Sequence, residues 1–343
     1  MSVFYDYSNK TMFGMETELE RISLATWNIV VIFCSVLGDT TILISSIKYK
    51  TFHHFKILAA FIENIALCDL LNSLGNLLPC TISLIADHHP SDHSHIYPRF
   101  ALTYYVSTTG CLFVAAMTVT KLLLLKYPLR TGSWSKRQTY RVCLGIWIIS
   151  LYVPILHIAV DKTDITFDYR TYIYSYRYSS SIWKYLLPFL ALLTLALLAP
   201  NLTIIVSTVL LLREARRVVE RSEESLRWQG IMTVLLTATV YTLSFLPFTL
   251  YCIVEPFVPK DPDKPGPFYI YYFRVSGALV CVNVLANFFV YSLTVARFRA
   301  FLKRRIFRVG KSEVSSKAMS ATDETFNFKS GQTFVQNKRN SLI

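Results

Sequence analysis

The chain has 343 residues, 53% of them hydrophobic, with a mean hydropathy of +0.39. That apolar share exceeds the roughly 45–50% of soluble domains. It is concentrated in long runs, which favours a bilayer-embedded protein over one large soluble core. A net charge of +13 does not point to nucleic acid, because the basic residues flank the apolar runs. There, topology and anionic lipid headgroups account for them.

Residues 1–23 read as a polar tail without the short apolar core of a signal peptide, so the first span is expected to serve as the insertion signal. Asn9-Lys10-Thr11 is a glycosylation sequon, usable if this end lies outside. Seven apolar segments follow, at about 24–47, 57–86, 101–126, 142–160, 185–212, 230–254 and 270–296, each long enough to cross roughly 30 Å of hydrocarbon. Pro79, Pro154, Pro188, Pro200 and Pro247 interrupt them. Such kinks are tolerated where neighbouring helices or waters satisfy the freed carbonyls. No internal repeat or Gly/Ser-rich linker is present, so residues 24–309 form one transmembrane domain and 310–343 a polar, disordered tail.

Lys and Arg set the orientation. With the N-terminus outside, 25 of the 35 fall on the inner side, and the three inner loops carry 14 against 7 in the outer loops. The positive-inside rule therefore predicts an outer N-terminus and a cytoplasmic C-terminus. In the second outer loop Tyr172, Tyr174, Tyr176 and Tyr178 alternate with other residues, a period-two pattern that predicts one strand of a β-hairpin. Its tyrosines serve either as strand packing or as an aromatic lid over a ligand. The third inner loop is short, and its charge pairs read as helix extensions. From Arg297 to Arg308, Phe298, Phe301 and Leu302 form an apolar stripe among basic residues, the pattern of a short amphipathic helix on the membrane surface. The terminal Ser341-Leu342-Ile343 is a pattern accepted by sheet-edge domains of the PDZ type. The fold class is thus an all-α membrane protein.

All seven cysteines lie in or at the edges of apolar runs, which argues against a loop disulfide framework. His88, His89, His93 and His95 read as a solvated loop in preference to a metal site. No HExxH, CxxC, Walker loop or dinucleotide turn is present, so no enzyme is indicated. Apart from Lys126 at a span edge, five Asp, Glu, Lys or Arg residues fall within the spans: Asp39, Glu63, Asp69, Lys121 and Arg274. Each is a functional hypothesis by default, since a charge at the bilayer centre costs roughly 2.5–3.5 kcal/mol or more. Glu63, Lys121 and Arg274 lie near span ends and can snorkel. Asp39 and Asp69 are mid-span and need partners. Asn283 and Asn287, one helical turn apart in the last span, are suited to them, and the two carboxylates are expected to share a proton or hold a small cation. A transporter using them as a relay is disfavoured by the odd span count and the missing repeat.

These residues carry a resemblance. Gly38-Asp39 in the first span, Asn64-Ile65-Ala66-Leu67-Cys68-Asp69 in the second, Trp147 in the fourth and Pro200 in the fifth fall, in order and spacing, on motifs of the rhodopsin-like (class A) G-protein-coupled receptors. Phe245-Leu246-Pro247-Phe248 resembles the sixth-helix toggle motif with Phe for Trp. Asn287-Phe288-Phe289-Val290-Tyr291 resembles the seventh-helix NPxxY motif with Phe for Pro. The last variant and the tyrosine-rich loop are similar to invertebrate neuropeptide receptors of the FMRFamide-receptor-like kind. The resemblance implies a seven-helix bundle with an eighth helix, no enzymatic activity, an extracellular ligand (peptide or small molecule), a heterotrimeric G protein, arrestin, and a sodium ion at Asp69 with Asp39, Asn283 and Asn287. It also implies a plasma-membrane location.

The same resemblance supplies the other site residues. The ligand set is Asn76, Thr103, Tyr104, Ser107, Phe248, Thr249, Cys252, Glu255, Phe273, Arg274 and Gly277. Thr103 stands where amine receptors have an aspartate, which argues against monoamines; Cys281 stands at the retinal lysine's position, which argues against an opsin. Glu255 and Arg274 either read a peptide's charged groups or pair with each other. Thr120-Lys121-Leu122 replaces Asp-Arg-Tyr, and a lysine lacks the planar fork of arginine. Glu63 or Glu224 is the expected partner of Lys121. Outward movement of the sixth helix is expected to open a cleft lined by Lys121, Lys126, Arg217 and Arg227, with Phe245 and Pro247 at the hinge and Tyr291 swinging in. The family's disulfide to the second outer loop has no cysteines here; Ile96 lies near its expected position. The alternative function is a chemosensory receptor for a small molecule with atypical coupling.

Overall fold

The computed structural model describes residues 18–52, 56–86, 96–127, 134–152, 154–155, 164–168, 173–177, 183–219, 225–254 and 267–306. The chain divides into two compact units, Met1–Phe298 and Arg299–Ile343. In the first unit the helices are α1 (Glu18–Ile47), α2 (Lys56–Asn72), α3 (Leu78–Ala86), α4 (Ile96–Lys126), α5 (Lys136–Ser150), α6 (Trp183–Val219), α7 (Ser225–Val254) and α8 (Pro267–Thr294). A further helix, α9 (Ala296–Phe301), crosses the unit boundary. In the second unit it is followed by the π-helical turn Leu302–Ile306, where Lys303 and Arg304 are exposed. The strands β1 (Asp164–Asp168) and β2 (Ile173–Arg177) pair antiparallel, with Thr166 opposite Ser175. The polar tails before residue 18 and after 306, with Asn9 and Ser341 to Ile343, lie outside the described residues.

Among the described residues six stretches are long and apolar enough to cross a membrane: Ile22–Ile47, Ile57–Ser83, Ala101–Lys126, Leu198–Arg216, Trp228–Leu250 and Val275–Thr294. The fourth predicted span is α5, 15 residues long, and most of its expected continuation to residue 160 lies outside the described residues. The side chains of Phe33, Leu144, Leu243 and Leu293 are exposed, so the bundle's outer surface is apolar where lipid would meet it.

The second span is a single run of helix with a π-helical turn, Ser73–Leu77, between α2 and α3. Pro79 follows two residues later. Proline has no N–H and its ring crowds the carbonyl four residues back, so the wider turn relieves a clash that a regular α-helix would impose. α1 ends in a left-handed turn: Thr51 N–H reaches Ser45 O at 3.1 Å, and Lys50 has φ 51°. Glycine is the usual residue there, and a side chain in that region costs roughly 1–2 kcal/mol. α5 opens on a capping box. Gln138 N–H donates to Ser135 Oγ at 3.3 Å, and Ser135 N–H to Gln138 Oε1 at 2.6 Å.

Most span hydroxyls donate to the carbonyl one turn back, as Thr118 does to Val114 O at 2.8 Å and Ser150 to Ile146 O at 2.8 Å. Longer links tie helices together. Trp147 Nε1 donates to Asn64 Oδ1 at 2.8 Å, and Tyr105 OH to Trp147 O at 3.1 Å, so α2, α4 and α5 meet at one indole. α1 and α8 approach closely at Gly38, where a Cβ would lie 3.1 Å from Phe288 Cβ.

Candidate functional site

Two polar centres lie inside the first unit. The first is built on α1, α2 and α8. Asp69 comes from the middle of the second span, and Asn287 Nδ2 donates to its Oδ2 at 2.6 Å, both groups buried. Asp39 is 1% exposed and accepts from Ser35 Oγ at 2.9 Å; Ser35 Oγ in turn lies 2.7 Å from Ser73 Oγ, on the π-helical turn. Ser35 carries one hydroxyl proton, so if it donates to Asp39 it must accept from Ser73. The expected asparagine partner is therefore present for Asp69 but not for Asp39. A serine one turn earlier on its own helix takes one of the Asp39 oxygens. The other, Oδ1, is buried without a hydrogen bond. The two carboxylates sense each other electrostatically. Asn283 is buried beside them in sequence, one turn before Asn287.

Tyr291, one turn beyond Asn287, is fully buried at 0% exposure. Its ring meets Phe52 edge-on at 5.7 Å, and Phe52 packs on Phe298 at 5.5 Å. Its hydroxyl neighbours Thr237 of α7, yet neither oxygen makes a hydrogen bond. Lys121, expected to snorkel, is instead buried at 8% exposure, on the side of α4 that faces into the bundle. Glu63, one of the two partners expected from sequence, has a bond on each oxygen, and the other, Glu224, lies outside the described residues. Glu63 accepts from Ser46 Oγ at 2.6 Å and from Tyr140 OH at 3.0 Å.

The second centre is a narrow cavity among α4, α6 and α7. α4 contributes Thr103, Tyr104, Ser107 and Cys111; α6 contributes Asn201; α7 contributes Phe245, Phe248 and Thr249. Asn201 Nδ2 donates to Thr249 Oγ1 at 3.2 Å across the cavity wall. At its floor Tyr241 stacks on Phe245 with ring centroids 4.3 Å apart and donates to Ser107 O at 3.2 Å. The α8 residue Tyr272 donates to Pro247 O at 2.9 Å.

Five predicted ligand residues, Thr103, Tyr104, Ser107, Phe248 and Thr249, come together in this cavity. Asn76 and Gly277 do not line it. Asn76 sits on the π-helical turn and bonds its own helix, through Asn72 Oδ1 at 3.3 Å. The side chains of Cys252, Phe273 and Arg274, and Glu255 altogether, lie outside the described residues, as do the side chains of Arg217 and Arg227. Lys126 is exposed at the end of α4. Sequence reasoning missed Cys111 and Asn201 in the wall. A cysteine and an asparagine within apolar helices carry no pattern that separates cavity from core, although Asn201 directly after Pro200 was a usable signal.

Apolar helices of membrane-crossing length, with a buried carboxylate–amide centre and an interhelical cavity, mark a multi-pass membrane protein. The profile of the 7 transmembrane receptor (rhodopsin family) matches residues 38–293, and the chain belongs to that family of G-protein-coupled receptors. No curated protein matches the chain.

Proposed function

We propose that the chain is a plasma-membrane receptor, N-terminus outside, that binds an extracellular neuropeptide in the α4–α6–α7 cavity and activates a heterotrimeric G protein. The observation that carries this reading is the chemistry of the cavity wall. Hydroxyls, an amide, a thiol and aromatic rings line it, with no carboxylate or cation among the described lining residues. A charged amine seated there would be desolvated without a counter-charge. The inserted part of the ligand is therefore an uncharged, aromatic or apolar segment able to hydrogen bond. The Glu255 and Arg274 positions would meet the remainder of a peptide nearer the mouth.

On this reading ligand binding favours the conformation in which α7 moves outward. Lys121, Lys126, Arg217 and Arg227 then line the G-protein cleft, and Tyr291 leaves its apolar seat to support it. Asp69, Asp39, Asn283 and Asn287 would hold a sodium ion: they and the Ser73 hydroxyl are hard oxygen donors, and the orphaned Asp39 Oδ1 needs a cation or a proton.

The test is G-protein dissociation in cells with verified surface expression, challenged with a peptide library. A response that Thr103 and Thr249 substitutions abolish supports the proposal; silence overturns it. Response to small odorants but not to peptides would favour the chemosensory reading.

A further inference from the structure

The carboxylate centre carries one more negative charge than a sodium ion balances. Its layout follows from counting along the helices. Ser35 and Asp39 are one turn apart on α1, and Asp69 and Ser73 are one turn apart on the second span, so each pair shares a helix face. The two spans are consecutive and run antiparallel. Ser35 Oγ lies 2.7 Å from Ser73 Oγ, which fixes the register between them. One turn along, that register sets Asp39 opposite Asp69. On α8, Asn287 bonds Asp69 at 2.6 Å, and Asn283 stands one turn before it, on the tier of the two serines. The centre thus has two tiers. One holds two carboxylates and an amide, the other two hydroxyls and an amide.

All six side chains are buried, from 0% exposure at Ser73 to 8% at Asp69. An ion seated among them gives up most of its hydration shell and takes protein oxygens in exchange. Carboxylate, hydroxyl and amide oxygens are hard donors, which suit alkali and alkaline-earth ions over softer metals. Asp39 Oδ1, buried without a hydrogen bond, is the oxygen with most to gain. Sodium and calcium ions have nearly the same radius, so the same oxygens reach either one and charge decides between them. With sodium, two carboxylates leave one negative charge inside the membrane, where it is costly. Calcium leaves none. Magnesium is smaller, dehydrates reluctantly and demands near-ideal octahedral geometry. Side chains fixed on three packed helices have little freedom to supply that.

We propose, on the reading of this centre as an ion site, that it selects calcium over sodium and that Asp39 sets the preference. Sodium is then the weaker occupant of the same oxygens. Asp39 offers Oδ1 to the ion while Ser35, on its own helix, holds Oδ2 at 2.9 Å. The ion ties α1 and α2 together at the carboxylate tier, beside the amide that α8 already contributes through Asn287.

The experiment is thermal unfolding of the purified full-length receptor, titrated with calcium, magnesium or sodium chloride at an ionic strength held constant with N-methylglucamine chloride. Calcium should half-saturate the stabilisation at a concentration on the order of a hundredfold below sodium, the ratio that one uncompensated charge in mid-bilayer implies. Magnesium should be weaker than calcium. In Asp39→Asn the amide oxygen still serves Ser35, but one charge is gone, and the advantage of calcium over sodium should disappear. Ser73→Ala removes a neutral donor, so it should weaken both ions and keep their ratio. Should Asp39→Asn fail to express, Asp69→Asn removes the same charge from the facing helix and is read against the same loss of preference. Calcium binding no tighter than sodium in the parent, or a calcium advantage that survives in the carboxylate variants, would overturn the proposal and leave the sodium reading standing. Stabilisation by neither ion would overturn both.

Discussion

Asn287 Nδ2 donates to Asp69 Oδ2 at 2.6 Å, joining residues 218 apart in sequence. Both partners are buried in the bundle interior. Asn287→Leu leaves the carboxylate without its amide, and a hydrogen bond to a charged group contributes roughly 1.5–3 kcal/mol. Thermal unfolding of the purified receptor should show that loss. The reciprocal variant, Asp69→Asn with Asn287→Asp, rebuilds an amide–carboxylate pair and should recover most of it. Equal stability of parent and Asn287→Leu would show that the pair does not hold the second span to the seventh.

Asp39 offers the opposite case. Its Oδ1 is buried without a partner, while Oδ2 accepts from Ser35 at 2.9 Å. Asp39→Asn keeps an oxygen for Ser35 and removes the uncompensated charge. The variant should unfold at a higher temperature, and its unfolding should respond less to sodium chloride than the parent's does, with N-methylglucamine chloride as the control for ionic strength. A parent insensitive to sodium, or a variant less stable than the parent, would contradict the assignment of an ion to this centre.

The spans were legible in the sequence because long apolar runs with basic flanks have few other readings. The buried Asp69–Asn287 pair was legible for the same reason: a carboxylate in mid-span demands a partner, and an amide one turn from another amide offers it. The partners of Asp39 and Glu63 were not. Ser35, Ser73, Ser46 and Tyr140 are short or amphipathic side chains whose usual bond is to their own helix, so nothing in their spacing marks them as bridges. The π-helical turn at Ser73–Leu77 was equally hidden. Pro79 announces a distortion but not its form, and that turn is what carries Ser73 to Ser35 and keeps Asn76 on its own helix. The burial of Lys121 was missed because distance from a span end was counted along the chain rather than into the bundle.

Tyr291 carries a third prediction. Its hydroxyl is buried with no hydrogen bond, a cost of roughly 1–3 kcal/mol in the conformation seen. The ring itself is well held by Phe52. Tyr291→Phe removes the cost and keeps the packing, so it should raise the unfolding temperature. If the hydroxyl finds its partner only when α7 moves outward, the same change should lower G-protein activation. Stability and signalling moving in opposite directions separates a switch hydroxyl from a merely misfitting one, which would leave activation unchanged.

The contact between α7 and α8 supplies the last prediction. Thr233 Oγ1 and Thr294 Oγ1 are 2.9 Å apart, and each also lies near a carbonyl of its own helix: Gln229 O at 2.8 Å and Val290 O at 2.7 Å. Two hydroxyl protons serve three contacts. With Thr294 donating to Val290 O, Thr233 can spend its proton on Thr294 and leave Gln229 O to the helix, or withdraw it and free α7. The link therefore breaks without leaving a donor unsatisfied, as a contact that must open repeatedly requires. Thr233→Val removes the interhelical bond at nearly constant volume. A net hydrogen bond of roughly 0.5–1.5 kcal/mol corresponds to about a twofold to tenfold rise in the open fraction. Basal G-protein activation, measured without ligand at matched surface expression, should rise by that factor, and Thr233→Ser should restore the parent level. Unchanged basal activity in Thr233→Val would place the restraint on α7 elsewhere, as at the Tyr241–Ser107 bond to α4.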